Sequence, residues 1–498
     1  MIRALISIGF LQFLSMLLLL GRTKIIALFL GPEGVGVIAT VDRVTAVIAQ
    51  TLSLSLPFAA LRFLPAAQRH SPDEAEDLYR SMRNVAIALL ALATIVCVSI
   101  AAAAPGLWGK ALVSYQGALI LAFAALPVIG LVPFLTNIFA ATNGHVASMR
   151  FTLAHGVVLV FAAIAAATGL GVAGFYGVYA VLGIALVLAA IRKLRVPAAK
   201  KVRPVRSLAN AFKLPRDVWR FAFWLFPLTF AAPYAAWYVQ YSVLRLYGAG
   251  SAGILQGAIG IGLSVRTLLG AAHSIFLTPN VNRQANSAER MAWTNDFQRH
   301  MVLIFVAVLP PVLLFSDIEL AVLYAPPFIA AAPFVALFVA AEVITLLSGS
   351  YQALILADNR VRFHVAQNFS AQILVAAIAV VAIPRLGLTG AGLAMLSAPI
   401  VMFASTILYL RRQFGVRLSA EAAHMSLLAL GMLLVCGVIG SLFPGMSAIR
   451  LGAKAAACGI VWLAAIIAMP RQDRARVRAT LESVRTRALS FVARGELA

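Results

Sequence analysis

Residues 24–43, KIIALFLGPEGVGVIATVDR, decide the fold. One apolar run ends in Gly31-Pro32-Glu33-Gly34, and a second apolar run follows at once. Hydrophobic helices joined by so short a connection pack as an antiparallel pair. Arg22, Lys24, Asp42 and Arg43 lie inside this otherwise apolar pair. The pattern recurs downstream. Leu30–Gly36 aligns with Tyr247–Gly253, placing Gly31 on Gly248 and Gly36 on Gly253, both at an offset of 217 residues. The chain reads as one membrane lobe built twice.

Composition supports a membrane class. The chain has 498 residues, of which 62% are hydrophobic and 11% charged. A soluble globule carries about a quarter charged residues. The apolar residues fall in blocks of about 20 or more, the length of a helix that crosses about 30 Å of hydrocarbon. Backbone groups inside lipid must be satisfied within the segment, so these blocks are helices and not open sheet. The expected fold is an all-α polytopic membrane protein.

About fourteen spans are expected, at roughly 6–30, 35–64, 84–104, 115–140, 148–168, 173–192, 217–246, 251–278, 300–323, 327–356, 361–383, 386–410, 423–442 and 449–469. The net charge of +23 is distributed by side. The even-numbered connections are basic: Arg69, Arg80 and Arg83; Arg150; Arg195 through Arg216; Arg283, Arg290 and Arg299; Arg360; Arg411, Arg412 and Arg417. The odd connections hold little beyond Lys110, Arg385 and Arg450. The positive-inside rule then places both termini in the cytoplasm, as an even number of spans requires. So placed, the charge sets orientation and needs no nucleic-acid partner. The N-terminal block shows no small-residue cleavage site and reads as the first span.

A second set of matches extends the repeat. Ala141-Thr142-Asn143 aligns with Ala357-Asp358-Asn359, and Leu170–Gly174 with Leu386–Gly390, both at an offset of 216. The expected organisation is a six-helix lobe (1–192), a basic cytoplasmic linker (193–216), a second six-helix lobe (217–410), an extra helix pair (411–470) and a basic cytoplasmic tail (471–498). Six is even, so the copies enter from one side and form a parallel repeat about an axis along the membrane normal. Two such lobes imply a central cavity and alternating access. The tail carries Val477, Leu481, Val484 and Leu489 at helical spacing and reads as an amphipathic helix on the cytoplasmic leaflet.

No loop is long enough to fold alone. No phosphate loop, H-x-x-x-H pair or nucleotide fingerprint occurs. Cys97, Cys436 and Cys458 lie in apolar blocks and give no disulfide framework or metal-ligand spacing. The expectation is a protein that is not an enzyme and has no cofactor or metal.

Ionisable groups inside spans are costly and face protein or water, so each is a functional candidate. Arg266 and Glu342 sit near mid-span. Either they pair and lock the second lobe, or Arg266 binds an anion, with Glu342 as its switchable partner or a cation or proton site. Arg22, Lys24, Arg43 and Asp42 crowd one end of the first pair. They form a buried ion pair or a basic cavity wall for phosphate, which matches the planar donor fork of Arg. Arg62 either snorkels to the headgroups or guards entry of a phosphate-bearing lipid. His155 and His273 read as hydrogen-bonded core residues or proton relays. Pro127, Pro133, Pro227, Pro233, Pro310 and Pro311 should kink their helices. Trp224, Tyr234, Trp237, Tyr238 and Tyr241 form either a packing face or stacking faces for sugar.

Arg22–Gly36 (RTKIIALFLGPEGVG), Leu56–Phe63 (LPFAALRF) and the repeated A-x-N and L-G-x-x-G signals resemble polysaccharide transporters of the Wzx flippase type. Those belong to the multidrug/oligosaccharidyl-lipid/polysaccharide exporter superfamily. The resemblance spans nearly the whole chain in architecture. It implies flipping of undecaprenyl-diphosphate-linked oligosaccharide across the bacterial inner membrane for surface polysaccharide such as O-antigen, capsule or exopolysaccharide. It also implies membrane lipids, polysaccharide polymerase and chain-length proteins as partners. The cavity residues matching that picture are Arg22, Lys24, Arg43, Arg62 and Arg266, with Asp42 and Glu342 as charge partners. The alternatives are a cation-coupled multidrug exporter, a peptidoglycan-precursor flippase, and a non-transporting scaffold of a polysaccharide assembly complex.

Overall fold

A computed structural model describes residues 2–194, 214–272, 277, 280–281, 284, 286–358, 360–415, 418–443, 445, 447–475 and 482. Every element assigned within them is helical. In chain order these are α1 (Ile2–Leu52), α2 (Leu56–His70), α3 (Pro72–Ala103), α4 (Gln116–Ala124), α5 (Leu126–Thr142), α6 (His145–Ala165), α7 (Gly171–Lys193), α8 (Arg216–Ala272), α9 (Ser287–Leu314), α10 (Ser316–Leu323), α11 (Ala332–Ala357), α12 (Val361–Leu386), α13 (Leu388–Phe414), α14 (Ala420–Leu442) and α15 (Ala448–Ala468). Among the described residues ten stretches are long and apolar enough to cross a membrane, or eleven if the bent α4–α5 stretch is one span. The protein is a multi-pass membrane protein.

The decisive turn is tighter than the sequence suggests. Only Gly31 leaves helical geometry, at φ 62° and ψ −168°, and Pro32 resumes the helix. Pro at a first helical position loses no hydrogen bond. Arg22 and Asp42 would be about 30 Å apart on a straight helix. They are bonded at 2.9 Å, so α1 folds back on itself at Gly31. In the same way α8 breaks at Gly248 (φ 84°), and the Gln240 amide donates to the Ala252 carbonyl at 2.9 Å across that break.

Two further elements depart from the expected spans. The 35–64 span is interrupted: Leu54 (φ 48°) and Ser55 (φ 58°) adopt left-handed geometry, and α2 restarts ahead of Pro57. Arg62 therefore sits on a separate short helix. The 115–140 span bends by 41° between α4 and α5, next to Pro127. Pro133, Pro227, Pro233, Pro310 and Pro311 lie inside helices whose one departure from helical dihedrals is at Gly248, so no break marks the prolines expected to kink them.

The repeat is visible in the elements themselves. The 3-10 turn Lys110–Tyr115 recurs as Pro326–Ala331 at an offset of 216. The starts of α4 and α6 recur at the same offset as those of α11 and α12. Gly171 and Gly387, also 216 apart, both have φ 58°.

The chain sorts into two compact units. The first comprises Met1–Gly257, Leu320–Phe328 and Val365–Ala398, and the second Ala258–Glu319, Ile329–His364 and Pro399–Ala498. In the first unit the two glycine turns touch. A Cβ on Gly36 would overlap the Ala249 carbonyl oxygen, and one on Gly253 would overlap that of Pro32. Pro32 and Ala249 are themselves repeat equivalents, so the contact is reciprocal about a local two-fold.

In the second unit the helix pair α14–α15 is tied down through a buried ion pair. Lys454 Nζ donates to Asp317 Oδ2 at 2.7 Å, with both side chains under 5% exposed. The Gly445 amide donates to the same oxygen at 3.1 Å. The start of the tail is held by Arg299, which donates to both oxygens of the buried Asp473 at 2.9 and 3.2 Å. The linker residues 195–213, the apolar tail residues Val477, Leu481, Val484 and Leu489, and His273, Arg283 and Arg417 lie outside the described residues.

Candidate functional site

The fold-back at Gly31 brings residues 22 and 42 of α1 side by side. Arg22 Nη2 donates to Asp42 Oδ2 at 2.9 Å. The second carboxylate oxygen, Oδ1, accepts from the Tyr176 hydroxyl at 2.7 Å, and that hydroxyl also lies 3.0 Å from the Ile38 carbonyl. Tyr176 is fully buried on α7. The Arg22 guanidinium carbon stands 4.9 Å from the centre of the Phe175 ring. Its Nε is buried and has no partner among the described residues.

Arg22 and Asp42 line a cavity of about 80 Å³ together with Thr23, Ile38, Gln256 and Tyr324. Arg43 Nη2 reaches Gln256 Oε1 at 3.4 Å, and the Tyr324 hydroxyl lies 3.4 Å from the Gln256 carbonyl. Lys24 Nζ donates to the Ala321 carbonyl at 3.1 Å. Arg22 and Asp42 are the charged residues that line the cavity, while Lys24 and Arg43 bond to residues around it. An isolated charge at this depth would be costly, so the Asp42 pairing and the Tyr176 bond are what hold Arg22 there. Chemically, the site can take an anion that competes with Asp42 for the guanidinium fork.

His155 lies beside this cluster, with Nε2 3.0 Å from the Tyr179 hydroxyl, the hydrogen-bonded arrangement its apolar surroundings favour. Arg62 is exposed on α2. Its guanidinium lies 4.8 Å from the Phe221 ring centre, and it is not among the cavity-lining residues.

Arg266 and Glu342 form a pair of their own in the second unit, joining α8 to α11. Nη1 and Oε2 are 3.5 Å apart, a loose contact, and the Arg266 side chain is 54% exposed. Glu342 is the guanidinium's one hydrogen-bond partner among the described residues. The three cysteines are free and buried, and no cluster of metal-ligating side chains occurs among the described residues.

Sequence reasoning found every charged member of the first cluster and missed its neutral ones. Tyr176, Gln256 and Tyr324 are 134 to 282 residues from Asp42; the first two read as ordinary span residues and Tyr324 as part of the short connection after span nine. The available signal was Tyr176 itself, a large hydroxyl inside the sixth apolar block.

No protein-family profile matches the chain. No curated protein matches it either. Solved structures do. One titled "Lipid II flippase MurJ, inward closed conformation" superposes with a TM-score of 0.62 at 14% identity, covering 93% of this chain and 98% of its own. The fold is that of the MOP-superfamily transporters. An inward-facing multidrug resistance MATE family transporter of that superfamily matches at TM-score 0.58 and 16% identity, covering 80% of this chain and 94% of its own. A MOP superfamily transporter from Pyrococcus furiosus, whose title notes a reversed polarity of its binding pocket, matches at 0.55 and 13%, covering 83% and 95%. These solved proteins are transporters, not enzymes.

Proposed function

We propose that this protein flips undecaprenyl-diphosphate-linked oligosaccharide across the bacterial cytoplasmic membrane by alternating access. The observation that carries the reading is the Arg22 cavity, where a guanidinium with an unpartnered Nε is balanced by one exchangeable carboxylate. A diphosphate offers two anionic groups to the arginine fork, while the lipid tail stays in the bilayer. Lys24, Arg43, Arg62 and Arg266 supply further positive charge along the path, and Asp42 and Glu342 are the groups the substrate displaces. Polysaccharide polymerase and chain-length proteins are partners compatible with this reading.

The same reading takes the topology as fourteen spans in two six-helix lobes plus the α14–α15 pair, with both termini cytoplasmic. Support comes from the three longest apolar stretches, Leu14–Leu52, His145–Lys193 and Arg216–Thr267. Each is broken at a glycine of positive φ, at Gly31, Gly169 and Gly248. Dividing each in two and counting the bent α4–α5 stretch gives fourteen.

A second reading is flipping of a peptidoglycan precursor. It is favoured by one observation, the 93% coverage of this chain by the lipid II flippase against 80% for the multidrug transporter. Both readings share a lipid-linked diphosphate.

The test is the leaflet distribution of lipid-linked oligosaccharide in a deletion strain complemented with wild type or Arg22→Ala. Accumulation on the cytoplasmic side, relieved by wild type alone, is expected. Relief by both removes Arg22 from the mechanism. Accumulation of peptidoglycan precursor instead selects the second reading, and accumulation of neither overturns the flippase reading.

A further inference from the structure

The aromatic residues of α8 form a continuous rail that the charged cavity does not use. Phe226, Phe230, Tyr234 and Tyr238 follow one another a turn apart, and Trp237 and Tyr241 join the same face. Phe226 and Phe230 are 6.3 Å apart and 9° from parallel, Phe230 and Tyr234 5.4 Å and 25°, Tyr234 and Tyr238 6.5 Å and 19°, Trp237 and Tyr241 5.4 Å and 15°. From Phe226 to Tyr241 the rail covers about 22 Å of helix. It runs between the charged positions Arg220 and Arg245. At about 100° per residue, the buried residues Leu225, Val239 and Val243 lie roughly opposite it, and the buried Ala231 and Leu244 flank it.

Two ordinary explanations fit poorly. Aromatic belts sit at the two headgroup levels, whereas this rail runs through the membrane depth. A packing face would bury its rings, yet Tyr234 is 38% exposed and Phe226, Phe230 and Tyr238 are only half-buried; of the rail's far end, Trp237 Nε1 is buried and Tyr241 packs against Gly109. The hydroxyls of Tyr234, Tyr238 and Tyr241 make no hydrogen bond among the described residues, and that of Tyr241 lies against Gly109. A hydroxyl facing hydrocarbon without a partner is costly. The face is therefore matched to an occupant that is apolar enough to stack and polar enough to bond hydroxyls. Sugar rings have both properties, since their C–H faces stack on aromatic faces and their hydroxyls pair with tyrosine. The helix does not need these residues in order to form. At the repeat offset of 217, Tyr234, Trp237, Tyr238 and Tyr241 are replaced in the first copy by Leu17, Leu20, Gly21 and Lys24.

We propose that the rail from Phe226 to Tyr241 is a sugar-binding track that carries the oligosaccharide part of the substrate, separate from the cationic cavity that takes its anionic group. This rests on the lipid-linked glycan reading above.

The test uses the full-length protein in lipid nanodiscs and two probes. One is lipid-free, phosphate-free oligosaccharide hydrolysed from the host's surface polysaccharide. The other is inorganic pyrophosphate. Calorimetry on wild type, Tyr234→Leu/Tyr238→Leu and Tyr234→Phe/Tyr238→Phe reads both. Oligosaccharide affinity is expected to fall about tenfold or more in the leucine variant and about threefold in the phenylalanine variant, which keeps the rings. Pyrophosphate affinity should not move. Leucine-variant binding equal to wild type overturns the rail, as does wild type that binds pyrophosphate but no oligosaccharide, and both results leave the diphosphate reading standing. Binding of neither probe overturns both readings. If the leucine variant does not fold, wild type still decides. Oligosaccharide must change tryptophan emission and Trp237→Phe must remove that change, and an unchanged wild type overturns the rail.

Discussion

The two glycine hairpins share a backbone and differ in chemistry. Gly31 and Gly248 both break their helices at positive φ, 62° and 84°, and Gly36 and Gly253 press reciprocally against the opposite turn. Yet at the offset of 217, Arg22, Lys24, Asp42 and Arg43 of the first copy stand where the second has Val239, Tyr241, Ile259 and Gly260. At the offset of 216, Tyr176 stands where the second copy has Gly392. The second hairpin folds back without any of these charges. The ion pair of the first is therefore not what closes a hairpin of this kind, since the glycine turn does that. What the first copy keeps, at the cost of holding charge at membrane depth, is the cluster we propose as the substrate site.

The largest effect expected from this comparison is at the shared turn. Gly253→Val forces a side chain into the Pro32 carbonyl and should lower unfolding stability by about 3 kcal/mol or more, read as the thermal midpoint of purified protein in detergent. Gly250→Ala, three residues away in open space, should change it by under about 1 kcal/mol, in the stabilising direction. Equal losses at both positions would mean that the close approach is not what seals the turns.

Next come the charges. Asp42→Ile alone strands Arg22 and should cost about 1–3 kcal/mol, reduced from the fully buried figure because the Asp42 side chain is 38% exposed. Arg22→Val/Asp42→Ile, which writes the second copy's residues into the first, should return to within about 1 kcal/mol of wild type and still fail to relieve accumulation of the lipid-linked substrate. A double variant that folds and transports would make the ion pair dispensable and end the functional reading of the comparison.

A smaller effect is expected at Tyr176→Phe. It removes the hydrogen bond to Asp42 while keeping the ring and should cost about 1 kcal/mol. A cost near zero would show that Asp42 needs Arg22 alone. The smallest change belongs to Arg266→Ala, whose 3.5 Å contact with Glu342 is half-exposed and should contribute under about 1 kcal/mol to stability. A loss of transport with unchanged thermal midpoint would assign Arg266 to substrate. A lowered midpoint would make it a structural lock of the second unit.

Local sequence determined much of this protein. The apolar blocks are legible because hydrocarbon leaves a chain few choices beyond helix. The hairpin breaks are legible because only glycine takes positive φ without strain. The repeat is legible because those glycines and the L-G-x-x-G signals keep one spacing. The charged half of the site, Arg22, Lys24, Asp42 and Arg43, announces itself because charge is rare in such blocks. Tertiary structure alone decided the rest. Only packing shows that Asp42 takes Arg22 on one oxygen and Tyr176 on the other, that Gln256 and Tyr324 close the cavity wall, and that Arg62 stacks on Phe221 outside it. It also decided that the apolar run 35–64 breaks at Leu54 and Ser55. The reason is physical. Hydropathy and φ preference are properties of one segment, whereas a bond between residues 134 positions apart depends on how two helices are rotated against each other, and that rotation is set by the packing of all their neighbours.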